Sequence, residues 1–268
     1  MNIVVTGASG YIGDAVVTEL VRQGHRVKGV SRHKPQSLPS GVNWAAGDIR
    51  DMDLVTVFEG ADAVVHLVGI IREIPARQVT FEMMHVGVTE RVVVAMGAAR
   101  VERLIHMSAL GTRAQAVSRY HRTKWEAEQL VRSIPALHST ILRPSLVFGG
   151  PAPFFELLTT LAKLRRVPVP GSGHTLFQPV ARLDLGLLIA RVLSDEISDH
   201  ATLEMGGPDR FTLNQLIDVM AKKIGRPTPP QIAPAARIGE RGGTTVLGAS
   251  RPDYAGPAVH VDGSERDR

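Results

Sequence analysis

Two hydrophobic patterns take turns along the chain. "NIVVTG" is a short apolar run closed by glycine, as expected of a buried strand. "YIGDAVVTELVRQG" then places Ile12, Val16, Val17, Leu20 and Val21 at helical spacing and stops at Gly24, as expected of an amphipathic helix. The alternation continues. "HRVKGVSR", "VNWAAGDI", "ADAVVHLVG", "RLIHMSA" and "STILRPSLVFG" read as strands; "LVTVFEG", "TERVVVAMGAARV" and "RYHRTKWEAEQ" read as helices. The strands are apolar nearly throughout rather than at every second position. They therefore need cover on both faces, which predicts an α/β fold built on a doubly wound parallel sheet.

The second half is less regular. "FFELLTTLAKL" and "LDLGLLIARVLSD" read as helices, "GSGHTLFQPV" as a loop and short strand, and "TLEMGGP" as a strand ending in a turn. "TLNQLIDVMAKKIG" opens with Thr212 and carries Gln215 three residues later, a capping-box signature. Prolines then interrupt the chain, and no period is sustained beyond about Ala236. We expect a nucleotide-binding core over 1–150, a small substrate-side α/β region interleaved with it over 151–236, and a poorly ordered tail over 237–268.

Composition removes whole classes of chemistry. The 268 residues contain no cysteine, so disulfides and thiolate sites are excluded. The ten histidines show no H-x-x-x-H or H-E-x-x-H spacing, so no metal is expected. The net charge of +5 comes without a basic run or nucleic-acid motif, and aromatics are only 4%, which argues against nucleic acid as partner. No apolar run approaches a membrane span, and "MNIVVTG" runs straight into a glycine turn without a signal-peptide pattern. A cytoplasmic location is expected.

"TGASGYIG" lies between the first strand and first helix. Gly7 permits a tight turn, Gly10 lets backbone approach a pyrophosphate, and Gly13 lets the helix pack close to the strand. Ser9, Tyr11 and Ile12 complete this turn, whose helix N-terminus would face the anion. A plain glycine turn is the bland alternative, but a strand-to-helix junction opening the chain favours a dinucleotide. The end of the second strand offers no acid for a ribose. It offers Ser31, Arg32, His33 and Lys34, which suit a 2′-phosphate and favour NADP(H), with NAD(H) possible.

Tyr120 and Lys124 stand four residues apart, on one face of a helix. A nearby ammonium favours phenolate and would lower the tyrosine pKa toward a useful value. Ser108 ends the strand before that helix, and a carbonyl held between Ser108 and Tyr120 would accept a hydride. Tyrosine and lysine at this spacing also occur on ordinary solvated helices, and a serine at a strand end is commonly a cap. His66 and His106 read as strand-interior residues and Trp125 as packing. Phe154 and Phe155 suit either pocket lining or core.

The ordered pieces "TGASGYIG", "GDIRD", "VVHLVG", "ERLIHMSALG", "YHRTK" and "ILRPSLVFGG" resemble the extended short-chain dehydrogenase/reductase superfamily across roughly residues 1–230. "HLVGIIRE", "HMSALG", "SRYHRTKWEAE" and "FQPV" are most similar to an atypical branch. It includes the Rossmann-type accessory subunit of respiratory complex I and bacterial NAD-dependent epimerase/dehydratase-like proteins. The resemblance implies that Asp48 and Ile49 flank the adenine and that Leu67, Val68 and Gly69 line the cofactor. It implies that Ser108 polarises the substrate oxygen, Tyr120 transfers the proton and Lys124 holds the nicotinamide ribose. Pro144 and Ser145 would lie near the nicotinamide. The chain departs from the pattern at His85, where extended members carry asparagine; the proton relay would be incomplete or rebuilt around histidine. Two functions follow as expectations. One is an oxidoreductase or epimerase-type enzyme acting on a small carbonyl or hydroxyl compound. The other is a non-catalytic cofactor-binding subunit with a respiratory or quinone-related complex as partner.

Overall fold

The computed structural model describes residues 1–35, 39–194 and 199–232. β1 (Asn2–Thr6), α1 (Tyr11–Arg22), β2 (Arg26–Ser31), β3 (Asn43–Ala46), α2 (Leu54–Phe58), β4 (Ala63–His66), α3 (Val88–Ala98), β5 (Arg103–Met107), α4 (Arg119–Arg132) and β6 (His138–Pro144) follow one another. Downstream lie β7 (Val147–Phe148), α5 (Pro153–Ala162), β8 (Val167–Pro168), β9 (Leu176–Phe177), β10 (Val180–Ala181) and α6 (Arg182–Leu193). β11 (Thr202–Met205), β12 (Phe211–Thr212), α7 (Leu213–Lys223) and β13 (Gln231–Ile232) complete the described elements. The expected tail over 237–268 lies outside the described residues.

Seven strands form one parallel sheet in the order β11-β6-β5-β4-β1-β2-β3. The chain leaves β1 toward β2 and β3, then crosses back to β4 on the other side. That reversal opens a crevice at the carboxyl ends of β1 and β4, where open α/β sheets bind ligands.

The central strands β1 and β4 are mostly apolar because both their faces are buried. Successive side chains in a strand point to opposite faces. Ile3, Val5, Val65 and Ile105 therefore pack against Val16 and Leu20 of α1 and Leu185 and Ile189 of α6. Val4, Val64 and Leu104 pack on the other face with Phe58 of α2, Val92 and Met96 of α3 and Val131 of α4. Full burial of one such side chain contributes about 1.5–3 kcal/mol.

The later segments make a smaller core of their own. Leu158 and Ala162 of α5 meet Leu216, Ile217 and Met220 of α7 over Val167 and Val169. Phe154 and Phe155 pack against this cluster. The capping box of α7 is present: Gln215 N donates to Thr212 Oγ1 at 3.1 Å, and Thr212 N donates to Gln215 Oε1 at 2.7 Å. Among the described residues, no helix is long and apolar enough to cross a membrane.

Candidate functional site

The turn "TGASGYIG" has the geometry its glycines require. Gly7 has φ +74°, and a Cβ there would lie 3.2 Å from the Leu67 carbonyl carbon and Val68 N. A Cβ on Gly13 would lie 2.3 Å from Gly7 O, so the helix rides directly on the turn. Gly10 is the N-cap of α1 and supplies no side-chain acceptor. The first-turn N–H groups of α1 thus have no capping side chain, beside exposed Ser9 and Gly10 and half-buried Tyr11 and Ile12.

Gly7 N and Ala8 N both donate to Val30 O, which sets the turn against the end of β2. There Ser31 Oγ donates to His33 O at 2.8 Å, and Arg32 is exposed. Asp48, after β3, is gripped by Arg50 at 2.7 and 3.0 Å. The Arg50 hydrogen bonds, with help from the Arg32 charge, hold its carboxyl down to about 2. Ile49 is buried beside it, its carbonyl accepting from Arg91 Nε.

Leu67, Val68 and Gly69 leave β4 at the crevice. Lys124 lies against them. Its ammonium is buried and donates to Met107 O at 2.9 Å. A Cβ at Gly69 would lie 3.0 Å from Nζ, so a larger residue there would push the ammonium aside by a few tenths of an ångström. An ammonium has three donors, and one is used here. Desolvation pulls the Lys124 pKa from 10.5 down to about 8, opposed by the charge of Glu128.

Tyr120 is half-buried on the same helix face. Its ring meets His121, His85 and Phe81 edge-on, at 5.0, 5.2 and 5.8 Å between centroids. Its hydroxyl makes no hydrogen bond among the described residues. The expected activation of this phenol by Lys124 does not hold. Burial pushes the tyrosine up to about 12 and the lysine down, because both lose water and each then favours its neutral form.

The role implied for Ser108 meets a competing acceptor. Its Oγ donates at 2.6 Å to Glu128 Oε1, a fully buried carboxylate. Arg143 grips that carboxylate through Nε at 2.8 Å and Nη2 at 2.6 Å, and Arg132 reaches it at 3.1 Å. A carboxylate between two guanidinium groups only accepts, so the single serine proton is committed to it. In this arrangement the Ser108 proton goes to Glu128 rather than toward a substrate carbonyl. Half-exposed Ala109, the next residue, brings only a methyl group. Pro144 and Ser145 close this side. Ser145 N donates to Met205 O at 2.8 Å, and Leu110 N to Pro144 O at 2.9 Å.

His85 stands on a π-helical turn, Glu82–Gly87, that leads into α3. Ile70 N lies 3.3 Å from its Nε2. Nε2 also lies 3.1 Å from Ile70 O, and Nδ1 lies 2.9 Å from Thr123 Oγ1, so either neutral tautomer fits, while Thr123 itself donates to Arg119 O. Burial first, then the Lys124 charge, depresses the imidazole to about 2. It is a neutral brace between the loop after β4 and α4. His66 and His106 are buried strand residues stacked at 5.5 Å, as read from the sequence.

Glu128 and Arg143 were not legible as site residues. Glu128 lies four residues after Lys124 on the same helical face, a usable signal; Arg143 carries none. Away from the crevice, His138, Asp199 and His200 bring potential metal-binding atoms within 4.8 Å of one another, with Arg103 already on Asp199.

Comparison with known proteins places these features. The family model for the NAD dependent epimerase/dehydratase family matches residues 3–156. The mitochondrial NADH-ubiquinone oxidoreductase 40 kDa subunit of Neurospora crassa is 28% identical over 230 residues, covering 82% of this chain and 59% of the relative. Subunit 9 of the NADH dehydrogenase (ubiquinone) 1 alpha subcomplex, mitochondrial, of Arabidopsis thaliana is 32% identical over 234 residues, covering 82% and 57%. The chain thus spans less than two thirds of the length of these curated relatives. Among solved structures, MoeE5 in complex with UDP-glucuronic acid and NAD superposes with a TM-score of 0.75 at 26% identity, covering 90% of this chain and 87% of that one.

Proposed function

The chain belongs to the NAD dependent epimerase/dehydratase family, and on that premise we propose that it holds NADP(H) as a bound component of a larger assembly rather than turning it over rapidly. The commitment of the Ser108 proton to Glu128 carries this reading. It removes the donor that would polarise a carbonyl, while the cofactor-facing groups remain available.

The residues suit a dinucleotide. The uncapped N-terminus of α1 faces a pyrophosphate, and Lys124 keeps two ammonium donors for ribose hydroxyls. Leu67, Val68 and Gly69 line its path. Arg32 and Ser31, at the end of β2, would suit a 2′-phosphate. Asp48 does not oppose that anion, because Arg50 neutralises it. The cofactor, when bound, supplies or accepts a hydride; the chain's own residues bind and orient it. The named relatives are subunits of NADH dehydrogenases, which supports a respiratory complex as partner.

A second reading has its own support. The Tyr120 hydroxyl is unpartnered, one helical turn from Lys124, and is the group that would move a proton to or from a small carbonyl or hydroxyl substrate. Calorimetry with NADPH and NADH, followed by turnover assays against carbonyl, quinone and nucleotide-sugar panels, separates the two. Tight NADPH binding with no turnover supports the holder. Failure to bind either cofactor overturns both readings.

A further inference from the structure

Arg182 is the first residue of α6, far along the chain from the glycine turn. Its guanidinium nevertheless lies over the Tyr11 ring, 5.5 Å from the centroid. Its Nη1 donates to Tyr11 O and to Asp14 Oδ2, both at 3.3 Å. These long contacts use one nitrogen. Nε and Nη2, the edge by which a guanidinium grips two oxygens at once, have no hydrogen-bond partner among the described residues. That edge runs beside the turn at Gly149 and Gly150; a Cβ on Gly150 would lie 3.8 Å from both atoms.

The position is electrostatically wrong for a cation standing alone. Tyr11 is the first residue of α1, and a helix N-terminus carries partial positive charge. Asp14 is 59% exposed, so water and salt screen its attraction. Arg182 is only 24% exposed and has given up part of its own hydration. An anion over the first turn of α1 would satisfy the free N–H groups and the open guanidinium edge together.

We propose that Arg182 is a diphosphate clamp: its Nε–Nη2 edge, with the N-terminal N–H groups of α1, holds the diphosphate of the bound dinucleotide. This rests on the reading that the chain binds NADP(H), and it adds a residue of α6 to a site otherwise built between β1 and β6. NADPH and NADH share the diphosphate; a nucleoside diphosphate such as UDP carries one too.

The test is calorimetric titration of the full chain with NADPH, NADH, 2′-AMP and UDP, in the parent and in Arg182→Gln, Arg182→Lys and Asp14→Ala. Arg182→Gln should weaken NADPH and NADH by the same factor, about tenfold to a hundredfold, as for a charged hydrogen bond. Its affinity for 2′-AMP, which lacks the diphosphate, should not change. Arg182→Lys should recover part of the loss. Asp14→Ala removes the ion pair but keeps the guanidinium and should bind at least as well as the parent. Unchanged NADPH and NADH affinity in Arg182→Gln overturns the clamp. So does an equal loss in Asp14→Ala, which would mark Arg182 as a structural tie between α1 and α6. A loss confined to UDP overturns the cofactor assignment and gives the clamp to a nucleotide-linked substrate. A parent chain that binds neither cofactor overturns the underlying reading as well.

Discussion

Lys124 and Ser108 meet at the carboxyl end of β5, and their polar atoms are in opposite states. Lys124 donates once, to Met107 O, and two of its N–H groups remain for a ligand. Ser108, the next residue along the strand, gives its only proton to a carboxylate already held by two arginines. The same contrast extends outward. The glycine turn leaves the first N–H groups of α1 without a capping side chain, whereas His85 has both ring nitrogens occupied. The binding side of the crevice is open to a ligand. On the side expected to do chemistry Ser108 and His85 are held by protein partners and, among the described residues, Tyr120 alone keeps a free hydroxyl. Family membership therefore predicts what is bound more directly than what is catalysed.

The contrast can be attacked at its strongest point. Glu128→Ala would leave Arg143 partly buried with only its 3.3 Å contact to Glu204, and Ser108 without its carboxylate acceptor. It should cost about 3–5 kcal/mol of folding stability, the usual result of removing one partner from a buried ion pair. Urea unfolding measures this. A loss below about 1 kcal/mol, the scale of surface pairs, would show that the network does not hold the Ser108 side together.

Lys124→Met tests the open side. Loss of charged hydrogen bonds to the ribose should weaken NADPH by about tenfold to a hundredfold. The same residue sets a pH dependence. Its folded pKa lies at about 8, below its ordinary 10.5, so the ammonium is present below pH 8 and lost above it. NADPH affinity should fall as pH rises through about 8, and this slope should vanish in Lys124→Met. The stability term has the opposite sense. Between about 8 and 10.5 the unfolded chain binds more protons than the folded one, so the contribution of this group to stability rises with pH.

Much of this architecture was legible before any coordinates. Runs such as "ADAVVHLVG" announce a strand buried on both faces, and "TLNQ" announces a capped helix start. Both signals are local. Contacts distant in sequence carry no such signal. Ser108 and Glu128 are 20 residues apart, and Arg143 and Glu128 are 15 apart on different elements. No spacing rule reveals that a serine hydroxyl is already committed. The Tyr120–Lys124 spacing places both on one helix face but carries no information on the desolvation that raises the one pKa and lowers the other. The π-helical turn at Glu82–Gly87 escaped notice because one turn cannot shift a helical period enough to be seen.

Smaller effects sharpen the comparison further. Arg32→Ala should narrow the preference for NADPH over NADH by roughly tenfold, the scale of one charge-assisted contact to a 2′-phosphate. Equal affinity of the parent for both cofactors would remove the basis for assigning NADP(H). Tyr120→Phe keeps the ring packed against Phe81 and His85 and removes a hydroxyl that makes no hydrogen bond among the described residues. Its NADPH affinity should stay within about twofold, well under the worth of one hydrogen bond to a charged group.

The central claim is that the site holds its cofactor without rapid turnover. The direct measurement is the absorbance of NADPH bound to the full chain, followed while carbonyl and quinone compounds are added in excess. The account predicts that the nicotinamide stays reduced through the whole panel, in the parent and in Tyr120→Phe alike. Oxidation over many turnovers in the parent, reduced by on the order of 10²–10⁴ in Tyr120→Phe, would contradict it and make Tyr120 a working acid–base group.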